Sequence, residues 1–205
     1  MKTIFDTTFA LLALIIISPV FIIISFVVKI TSDGEIFYKG VRAGKNNVPF
    51  KIYKFRTMVQ NAENIGGHST ALNDFRLTSI GSFLRRYKLD ELPQFINILK
   101  GDMSLVGPRP QVIYYTNKYK GEFKLILSIK PGLTDLATLY FFDMDKVLGS
   151  KKVNEKYAIE IEPIKNLLRL KYVKEQSFFL DIRILIETIF SLIGLKNITN
   201  LNIKP

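Results

Sequence analysis

Two adjacent carboxylates, Asp90 and Glu91, have the residue types and spacing to carry chemistry. Hydrophobic residues recur at helical spacing directly after them, which predicts a short amphipathic helix. Because proline is tolerated in a first helical turn, Pro93 places the helix start near Asp90, and Gly101 lies where a C-terminal cap is expected. The N–H groups of a helix N-terminus bind anions, so this end of the helix could bind a phosphate. A divalent cation between phosphate and the acid pair would offset their repulsion.

Arg109 follows this helix and stands between two prolines, Pro108 and Pro110. The prolines are expected to hold the backbone extended, so that the guanidinium is presented from a stiff segment. Arginine binds phosphate through two parallel hydrogen bonds, which makes Arg109 a candidate phosphate ligand. A simpler interpretation also fits the spacing: Asp90 caps the helix, and Glu91 complements its dipole.

The segment 85–110 closely resembles the bacterial sugar transferase family, the monotopic phosphoglycosyl transferases. The best matching pieces are residues 89–94, 97–104 and 106–110, and weaker matches extend over almost the whole chain. The resemblance implies that Asp90 is the nucleophile and that Glu91 helps to hold Mg²⁺. It also implies that Arg85, five residues before the nucleophile, lies beside the phosphate site.

Three further residues match family elements near the substrate. Lys54 and Arg56 belong to a Lys-Phe-Arg-Thr-Met run, and Thr134 ends a Pro-Gly-Leu-Thr loop. The resemblance implies that all three bind substrate, although a solvated strand edge is an alternative for the two basic residues. Position 135 departs from the family, because it is Asp where many members carry Gly. We expect that loop to contact the donor, so Asp135 leaves the identity of the sugar open.

Residues 4–28 form an apolar segment that is long enough to cross a bilayer and that Ser18 and Pro19 interrupt near its middle. Proline removes a helical hydrogen bond, and the serine hydroxyl can bond the freed carbonyl. Basic residues on both flanks fit a hairpin that enters and leaves the same leaflet, while a kinked spanning helix is the alternative. The resemblance implies the re-entrant form, with the bend at Ser18 and Pro19. We expect Asp6 to pair with a basic group at the interface.

These patterns predict an α+β, predominantly helical fold. Residues 1–31 would form the re-entrant membrane helix-hairpin, and residues 32–205 one small catalytic domain on the cytoplasmic face. The domain would contain a short β-hairpin, from residues 36–38 and 50–55 around a turn at 44–47, and a loop at 60–73. Amphipathic helices, some of them interfacial, are predicted at residues 80–87, 111–130, 153–173 and 178–195.

Composition narrows the classes of partner. The chain has 29 Lys and Arg residues against 18 Asp and Glu residues, a net charge of +11. Such a surface favours anionic lipid and phosphorylated substrates, and without zinc-ligand spacing or an RNP-like motif we expect no nucleic acid. The chain lacks cysteine, which excludes thiolate metal sites, and its single histidine, His68, lies in a polar stretch that predicts a solvated loop.

The resemblance implies a Mg²⁺-dependent transferase at the cytoplasmic face of a bacterial plasma membrane. It would move a sugar 1-phosphate from a nucleotide-sugar, expected to be a UDP-sugar, to polyprenol phosphate through an intermediate on Asp90, releasing UMP. Two alternatives stay open: a metal-dependent glycosyltransferase that uses Asp143 and Asp145, and a non-catalytic membrane adaptor. The sequence leaves open the sugar, the polyprenol length, the pathway and a homodimer.

Overall fold

The apolar segment forms one long helix, α1 (Lys2–Thr31), in the computed structural model of the chain. The structure describes residues 1–65, 74–142, 155, 157–195, 198, 199, 201 and 203. The most apolar window of α1 has a mean hydropathy of 3.1, and by length and composition the helix could cross a membrane. No other helix in the described ranges meets that criterion.

The remaining described residues form a small α+β domain in which helices predominate, as predicted. Its strands pair as two small sheets, and short helical turns connect the longer elements. The strands are β1 (Phe37–Ala43), β2 (Pro49–Phe55), β3 (Ser104–Val106) and β4 (Gly132–Thr134). The helices are α2 (Ala62–Ile65), α3 (Ser79–Arg86), α4 (Gln94–Leu99), α5 (Ile113–Thr116), α6 (Leu136–Tyr140), α7 (Glu162–Glu175) and α8 (Phe178–Leu192). Turns of 3₁₀ helix lie at Lys45–Asn47, Leu89–Glu91 and Gly121–Ser128, and a π-helical turn lies at Tyr157–Ile161.

One face of α1 packs along the domain at both ends of the helix. Its buried residues recur at helical spacing: Asp6, Ala10, Ile24 and Val28. Ala10 joins the main core with Ile98 and Leu105, whereas Ile24 and Val28 pack against Phe55 and Leu84. The opposite face is exposed and apolar, through side chains that include Leu12, Ile16, Ile23 and Phe26. Both ends of the apolar helix therefore contact the same domain.

The helix runs through Pro19 without a break. Ser18 Oγ donates to the carbonyl oxygen of Ile15 at 2.8 Å. That carbonyl lies four residues before Pro19, which has no N–H to offer it. The predicted bond from the serine hydroxyl is therefore confirmed. The predicted hairpin, in contrast, is described as a single continuous helix, and its re-entrant course in a bilayer stays a prediction.

The first turns of α1 are bonded to the domain by polar contacts. Asp6 is buried, and its Oδ2 accepts a hydrogen bond from Ser104 Oγ of β3 at 2.6 Å. The expected basic partner of Asp6 is therefore wrong, because this part of α1 lies against the domain interior. Lys2 forms an ion pair with Asp181 of α8, and Asp181 also accepts from the hydroxyl of Tyr172 at 2.6 Å.

The predicted β-hairpin is confirmed and is longer than expected. Antiparallel β1 and β2 pair Phe37 with Phe55 and Ala43 with Pro49, around a turn in which Asn46 and Asn47 have positive φ. The side chain of Asn97 in α4 bonds the outer edge of β2: its Oδ1 accepts from the Tyr53 N–H at 2.9 Å, and its Nδ2 donates to Lys51 O at 2.8 Å. These bonds fix α4 beside the end of β2.

A short parallel pair, β3 with β4, brings two distant loops together. Ser104 lies opposite Gly132, and Val106 lies opposite Thr134. A Cβ on Gly132 would lie 2.1 Å from the backbone N of Gly107, so only glycine permits this approach. The Pro-Gly-Leu-Thr loop is thereby held against the Val-Gly-Pro-Arg segment that carries Arg109.

Several element boundaries differ from the predictions. The helix predicted at residues 111–130 is two pieces, α5 and a 3₁₀ turn, because Lys120 is extended and Gly121 has a φ of +55°. The helix predicted at 153–173 is described from the π-helical turn onward and continues as α7 to Glu175. The last predicted helix is confirmed as α8, capped by Ser177 Oγ. Much of the predicted loop at 60–73 and His68 lie outside the described residues, as do Asp143 and Asp145.

Candidate active site

The acid pair lies in the 3₁₀ turn Leu89–Glu91 and not at the start of α4. Lys88 has a φ of +57°, which ends the preceding helical run. The Leu92 N–H then closes the turn by bonding Leu89 O at 3.3 Å, and α4 begins only at Gln94. The predicted helix start at Asp90 is therefore wrong, because two separate turns divide the segment. The C-terminal cap is confirmed: Gly101 has a φ of +81°, and its N–H bonds Ile98 O at 3.0 Å.

Glu91 is the centre of a four-residue ionic cluster. Its Oε1 accepts from Lys54 Nζ at 2.8 Å and from Arg109 Nη2. Asp90 Oδ2 is 4.0 Å from Lys54 Nζ, so Asp90 faces the same ammonium without a close bond to it. Lys54 comes from the end of β2 and Arg109 from the segment after β3. The structure thus brings together four residues that the sequence assigned to one site.

The two carboxylates of the pair have opposite electrostatic settings. Burial raises the pKa of Asp90. The positive charge of Lys54 lowers this pKa, but by less than burial raises it. Burial would also raise the pKa of Glu91, but Arg109 and Lys54 outweigh burial and hold that pKa well below the usual range. Burial lowers the pKa of the Lys54 ammonium against the attraction of Glu91. Adjacent acids with separated pKa values take different chemical roles, as is common in active sites.

Asp135 holds Arg109 in place. Its Oδ2 accepts from the backbone N–H of Arg109 at 2.9 Å, while Arg109 Nη1 donates to Leu133 O at 3.0 Å. The other oxygen of Asp135, Oδ1, caps α6 by accepting from the Thr138 N–H at 2.6 Å. The side chain of Asp135 is fully buried, and Arg169 Nε lies 3.8 Å from it. Asp135, which the sequence analysis connected only with the identity of the sugar, therefore supports Arg109, a role that sequence reasoning missed.

A second buried ionic cluster lies on α7 next to Arg109, and the sequence analysis missed it. Glu162, Lys165 and Arg169 are spaced three and four residues apart, which places them on one face of the helix. Burial, with the charges of Arg169 and Arg109 as smaller causes, lowers the pKa of Lys165 to about 7. The spacing of these three charged residues at three and four positions was the available signal.

Arg85 lies in the last turn of α3, on the approach to the acid pair. Burial is the largest influence on the pKa of Asp90, and the positive charge of Arg85 is among the weaker influences that lower it. Arg85 is therefore within electrostatic reach of Asp90, as its predicted place beside a phosphate site requires.

Thr134 and Arg56 make their contacts elsewhere. The Thr134 hydroxyl is buried and bonds Thr188 Oγ1 of α8 at 2.8 Å. Because Thr188 donates to Ile184 O, Thr134 is the donor in that pair. Arg56 bonds the end of α1 through Ser32 O at 2.6 Å. The hydroxyl of Thr134 is directed into the interior, so its contacts do not support substrate binding. Arg56, in contrast, keeps two buried donors, Nε and Nη1, without a partner among the described residues. Substrate binding by either residue stays a prediction.

The acid pair offers a donor set that suits Mg²⁺. The described residues contain no group of three or more His, Cys, Asp or Glu side chains that could hold a metal by themselves. Mg²⁺, however, commonly uses one or two carboxylates and completes its coordination with phosphate oxygens and water. Both cationic partners of Glu91 bond Oε1, which leaves Oε2 for a metal. The residues present fit the ion, with the substrate supplying the remaining oxygens.

The fold and the site combine a helix that is long and apolar enough to cross a membrane with an acid pair and basic side chains in one ionic cluster. The chain belongs to the bacterial sugar transferase family, whose profile matches residues 1–194.

Three relatives illustrate the range of the family. The chain is 37% identical over 189 residues to the UDP-glucose:undecaprenyl-phosphate glucose-1-phosphate transferase of Escherichia coli K12, covering 90% of this chain and 38% of that protein. It is 32% identical to the UDP-N-acetylgalactosamine-undecaprenyl-phosphate N-acetylgalactosaminephosphotransferase of Aeromonas hydrophila, covering 90% of this chain and 41% of that protein. It is 36% identical to the uncharacterized sugar transferase EpsL of Bacillus subtilis 168, covering 92% and 85%. The chain thus spans about two fifths of the length of the first two.

Proposed function

We propose that the chain is a phosphoglycosyl transferase that moves a sugar 1-phosphate from a UDP-sugar to polyprenol phosphate through a covalent intermediate on Asp90. The observation that carries this proposal is the unequal pairing of the two acids. One oxygen of Glu91, Oε1, accepts hydrogen bonds from both Lys54 and Arg109. Asp90, in contrast, is buried, and its Oδ2 lies 4.0 Å from Lys54 Nζ. The names of the relatives support the donor and acceptor classes, because they specify UDP-sugars and undecaprenyl phosphate.

The proposed reaction has two displacements at one phosphorus. A carboxylate oxygen of Asp90 attacks the sugar-linked phosphorus, the bond from that phosphorus to the bridging oxygen breaks, and UMP leaves with the electron pair. A phosphate oxygen of the polyprenol phosphate then attacks the same phosphorus, the bond to Asp90 breaks, and the carboxylate is restored. The product is a polyprenyl diphosphate sugar. Covalent catalysis of this kind divides one difficult transfer into two easier ones.

The basic residues of the site would stabilise the negative charge of the donor. Arg109 and Lys54 are fixed beside the acid pair by Glu91, and Asp135 holds the backbone of Arg109. Preorganised cations are the main contribution that a protein makes to phosphoryl transfer. Glu91, together with the phosphates of the donor, would hold Mg²⁺, which supplies further neutralisation of phosphate charge when it is bound.

We propose that α1 enters and leaves the cytoplasmic leaflet of the plasma membrane. A straight helix of thirty residues is about 45 Å long, enough to carry its first turn across a bilayer. Yet Lys2 and Asp6 are bonded to Asp181 and Ser104 of the same domain that packs against Val28 near the other end. A spanning helix would have to break these contacts. The exposed apolar face of α1 would contact lipid instead.

Labelling of introduced cysteines tests this topology. The chain has no cysteine, so Thr3→Cys and Asp33→Cys each provide a single reactive site near one end of α1. We expect an impermeant thiol reagent to label neither position in intact cells and both after permeabilisation. Pro19→Leu restores a helical hydrogen bond and is expected to increase labelling of residue 3 from outside. Labelling of residue 3 from outside in the otherwise native chain would contradict the re-entrant course.

The released nucleotide tests the reaction. We expect a purified chain with Mg²⁺, a UDP-sugar and polyprenol phosphate to release UMP, measured by chromatography of the spent reaction. A glycosyltransferase that used Asp143 and Asp145 would release UDP, so UDP as the sole nucleotide product would contradict the proposal. A membrane adaptor would release neither nucleotide with any member of a UDP-sugar panel.

The rate of adduct formation is expected to depend on the ionisation of Asp90. Its pKa lies above the ordinary value of 3.8 because burial disfavours the charged form. Attack requires the carboxylate, so the single-turnover rate should fall as the pH is lowered through this raised pKa. Rapid-quench measurements from pH 4 to pH 8 would show a midpoint above 3.8. A rate that is independent of pH across that range would argue against Asp90 as the attacking group.

A further inference from the structure

Arg56 is a buried cation that forms an ion pair with no acid in the part of the chain that the structure describes. It is 8% exposed, and its Nη2 bonds only neutral oxygens: Ser32 O at 2.6 Å, Ser32 Oγ at 2.9 Å and Val28 O at 3.3 Å. Among the described residues no ion pair joins Arg56 to an acid, including Asp33. A buried charge without a partner is strongly unfavourable, so this position calls for an anion.

Two donor groups of the same guanidinium have no hydrogen-bond partner among the described residues. The Nε and Nη1 atoms of Arg56 are buried and make no hydrogen bond within the described structure. Native proteins leave very few buried donors unpaired, and a donor that lacks a protein partner often bonds a ligand, an ion or a water molecule. An anion that accepted from Nε and Nη1 together would satisfy both donors and the charge at once.

The unpaired side of Arg56 faces a small recess beside Gly34. Gln60 and Lys29 also border this recess, which is called the cradle below. A Cβ built on Gly34 would lie 2.3 Å from Arg56 Nη1 and 2.5 Å from Gln60 Nε2, so both nitrogens flank the space that a side chain would fill. Gly34 has a φ of +119°, which side chains rarely adopt. Lys29 Nζ lies 3.4 Å from Gly34 O. Two cations and one amide donor therefore surround a single corner of the backbone that carries no side chain.

The cradle lies at the end of the exposed apolar surface of α1. Lys29 is in the last turn of α1, and Phe26 and Ile30 on the neighbouring turns are 65% and 63% exposed. The apolar surface of the helix ends at the level of the cradle. Lipid phosphates lie at the corresponding depth of a bilayer, where clustered basic residues attract them.

We propose that Arg56, Lys29 and Gln60 form a binding site for the phosphate group of a membrane lipid. The site rests on the proposed membrane association and not on the transfer chemistry, because it is built at the end of α1 and not around Asp90. The phosphate could belong to a bilayer phospholipid or to the polyprenol phosphate acceptor. In either case the bound phosphate would hold the C-terminal end of α1 at the depth of the headgroups.

Side-chain NMR on the full chain in uncharged detergent micelles tests the site. The Nε–H signal of Arg56 is assigned in ¹⁵N-arginine protein by its loss in Arg56→Lys, and the sample is titrated separately with dihexanoyl phosphatidylglycerol, geranyl phosphate and inorganic phosphate. We expect a saturable shift with at least one of the two lipids, and the lipid that binds more tightly identifies the source. Saturation by inorganic phosphate alone, or by no ligand, would overturn the proposal. No donor is present, so the result is independent of transfer activity.

The Gln60→Glu variant distinguishes a lipid-binding site from an arginine whose donors simply lack partners. The new carboxylate would lie beside Arg56 Nη1 and supply the missing counter-charge. We expect the melting temperature to rise and the lipid affinity to fall by about tenfold, because the carboxylate replaces the phosphate and repels it. Asn61→Asp, which makes the same charge change one residue later, is the control and should change that affinity by less than about twofold. A Gln60→Glu chain that binds the lipid as tightly as the native chain would overturn the proposal.

Discussion

Replacing Asp90 with asparagine is expected to eliminate both the covalent adduct and multiple turnover. Asparagine keeps the shape of the side chain but lacks the attacking charge, and removal of a nucleophile costs about 10⁴-fold or more in rate. The folded protein should nevertheless become more stable at neutral pH. Burial raises the pKa of Asp90, so its ionised form reduces the stability of the folded state as the pH rises above 3.8. Asparagine avoids this cost.

The two readouts for Asp90→Asn are intact-protein mass after mixing with donor and the melting temperature at pH 7. Asp33→Asn is the matched control, because Asp33 is exposed and makes the same change of charge. It should form the adduct at the native rate. Asp90→Glu should also fail, because the extra methylene moves the attacking oxygen by about 1 Å, a displacement that can cost roughly 10²-fold. Full turnover by Asp90→Asn would contradict its assignment as the nucleophile.

Replacing Glu91 with glutamine is expected to have the opposite effect on stability. Glu91 is the shared partner of Lys54 and Arg109, and neither cation would keep a close anionic partner after the change. Breaking a buried ion pair by removing one member costs about 3 kcal/mol at the lower end of the usual range. The lower end of the range applies because these side chains retain 15–25% exposure, so water screens the pair in part. Catalysis should weaken as well, and excess Mg²⁺ should restore part of it if Glu91 holds the ion.

The stability that Glu91→Gln loses is expected to depend on pH. Arg109 and Lys54 outweigh burial and hold the pKa of Glu91 below its usual value of 4.5. The stabilisation is therefore fully present above pH 4.5 and is lost as the pH falls through the folded-state pKa. Denaturant unfolding at several pH values should show a gap between native and Glu91→Gln chains that closes in acid. Glu122→Gln, in an exposed pair with Lys174, is the control and should cost less than about 1 kcal/mol. Equal stability of Glu91→Gln and the native chain would contradict the cluster.

Local patterns were sufficient to predict the central part of the site. Asp90 and Glu91 are adjacent, and the prolines on both sides of Arg109 marked it as a candidate phosphate ligand. The family resemblance added Lys54 from a distant part of the chain. The alternation of residues and the Gly/Asn turn predicted the β-hairpin, because its pairing is set by a short connection. The Gly101 cap was predicted because glycine after a helical run has a direct conformational reason.

Long-range packing decided the rest. The β3–β4 pair joins Val106 to Thr134, and it depends on the approach of Gly132 to Gly107, which no short segment encodes. That pairing turns Thr134 toward the interior and brings Asp135 under Arg109. Likewise, an apolar stretch such as α1 shows its hydropathy but not the face that packs against protein, so the contacts of Asp6 could not be predicted.

The helix boundaries failed for a related reason. Pro93 fits either the first turn of a helix or the residue just before it, and in the structure it is the N-cap of α4. The break at Gly121 is equally local in the structure but is hidden in the sequence by aromatic residues at helical spacing on both sides. Short elements leave such boundaries to tertiary contacts.

Peptide mass spectrometry of the chain quenched after mixing with UDP-sugar and Mg²⁺, without acceptor, tests the central claim most directly. We predict a sugar phosphate attached to the peptide that contains the acid pair, with fragment ions that place it on Asp90, and its disappearance when polyprenol phosphate is added before the quench. An adduct that maps to Glu91, or UMP release in a single turnover with no adduct on any peptide, would contradict the account.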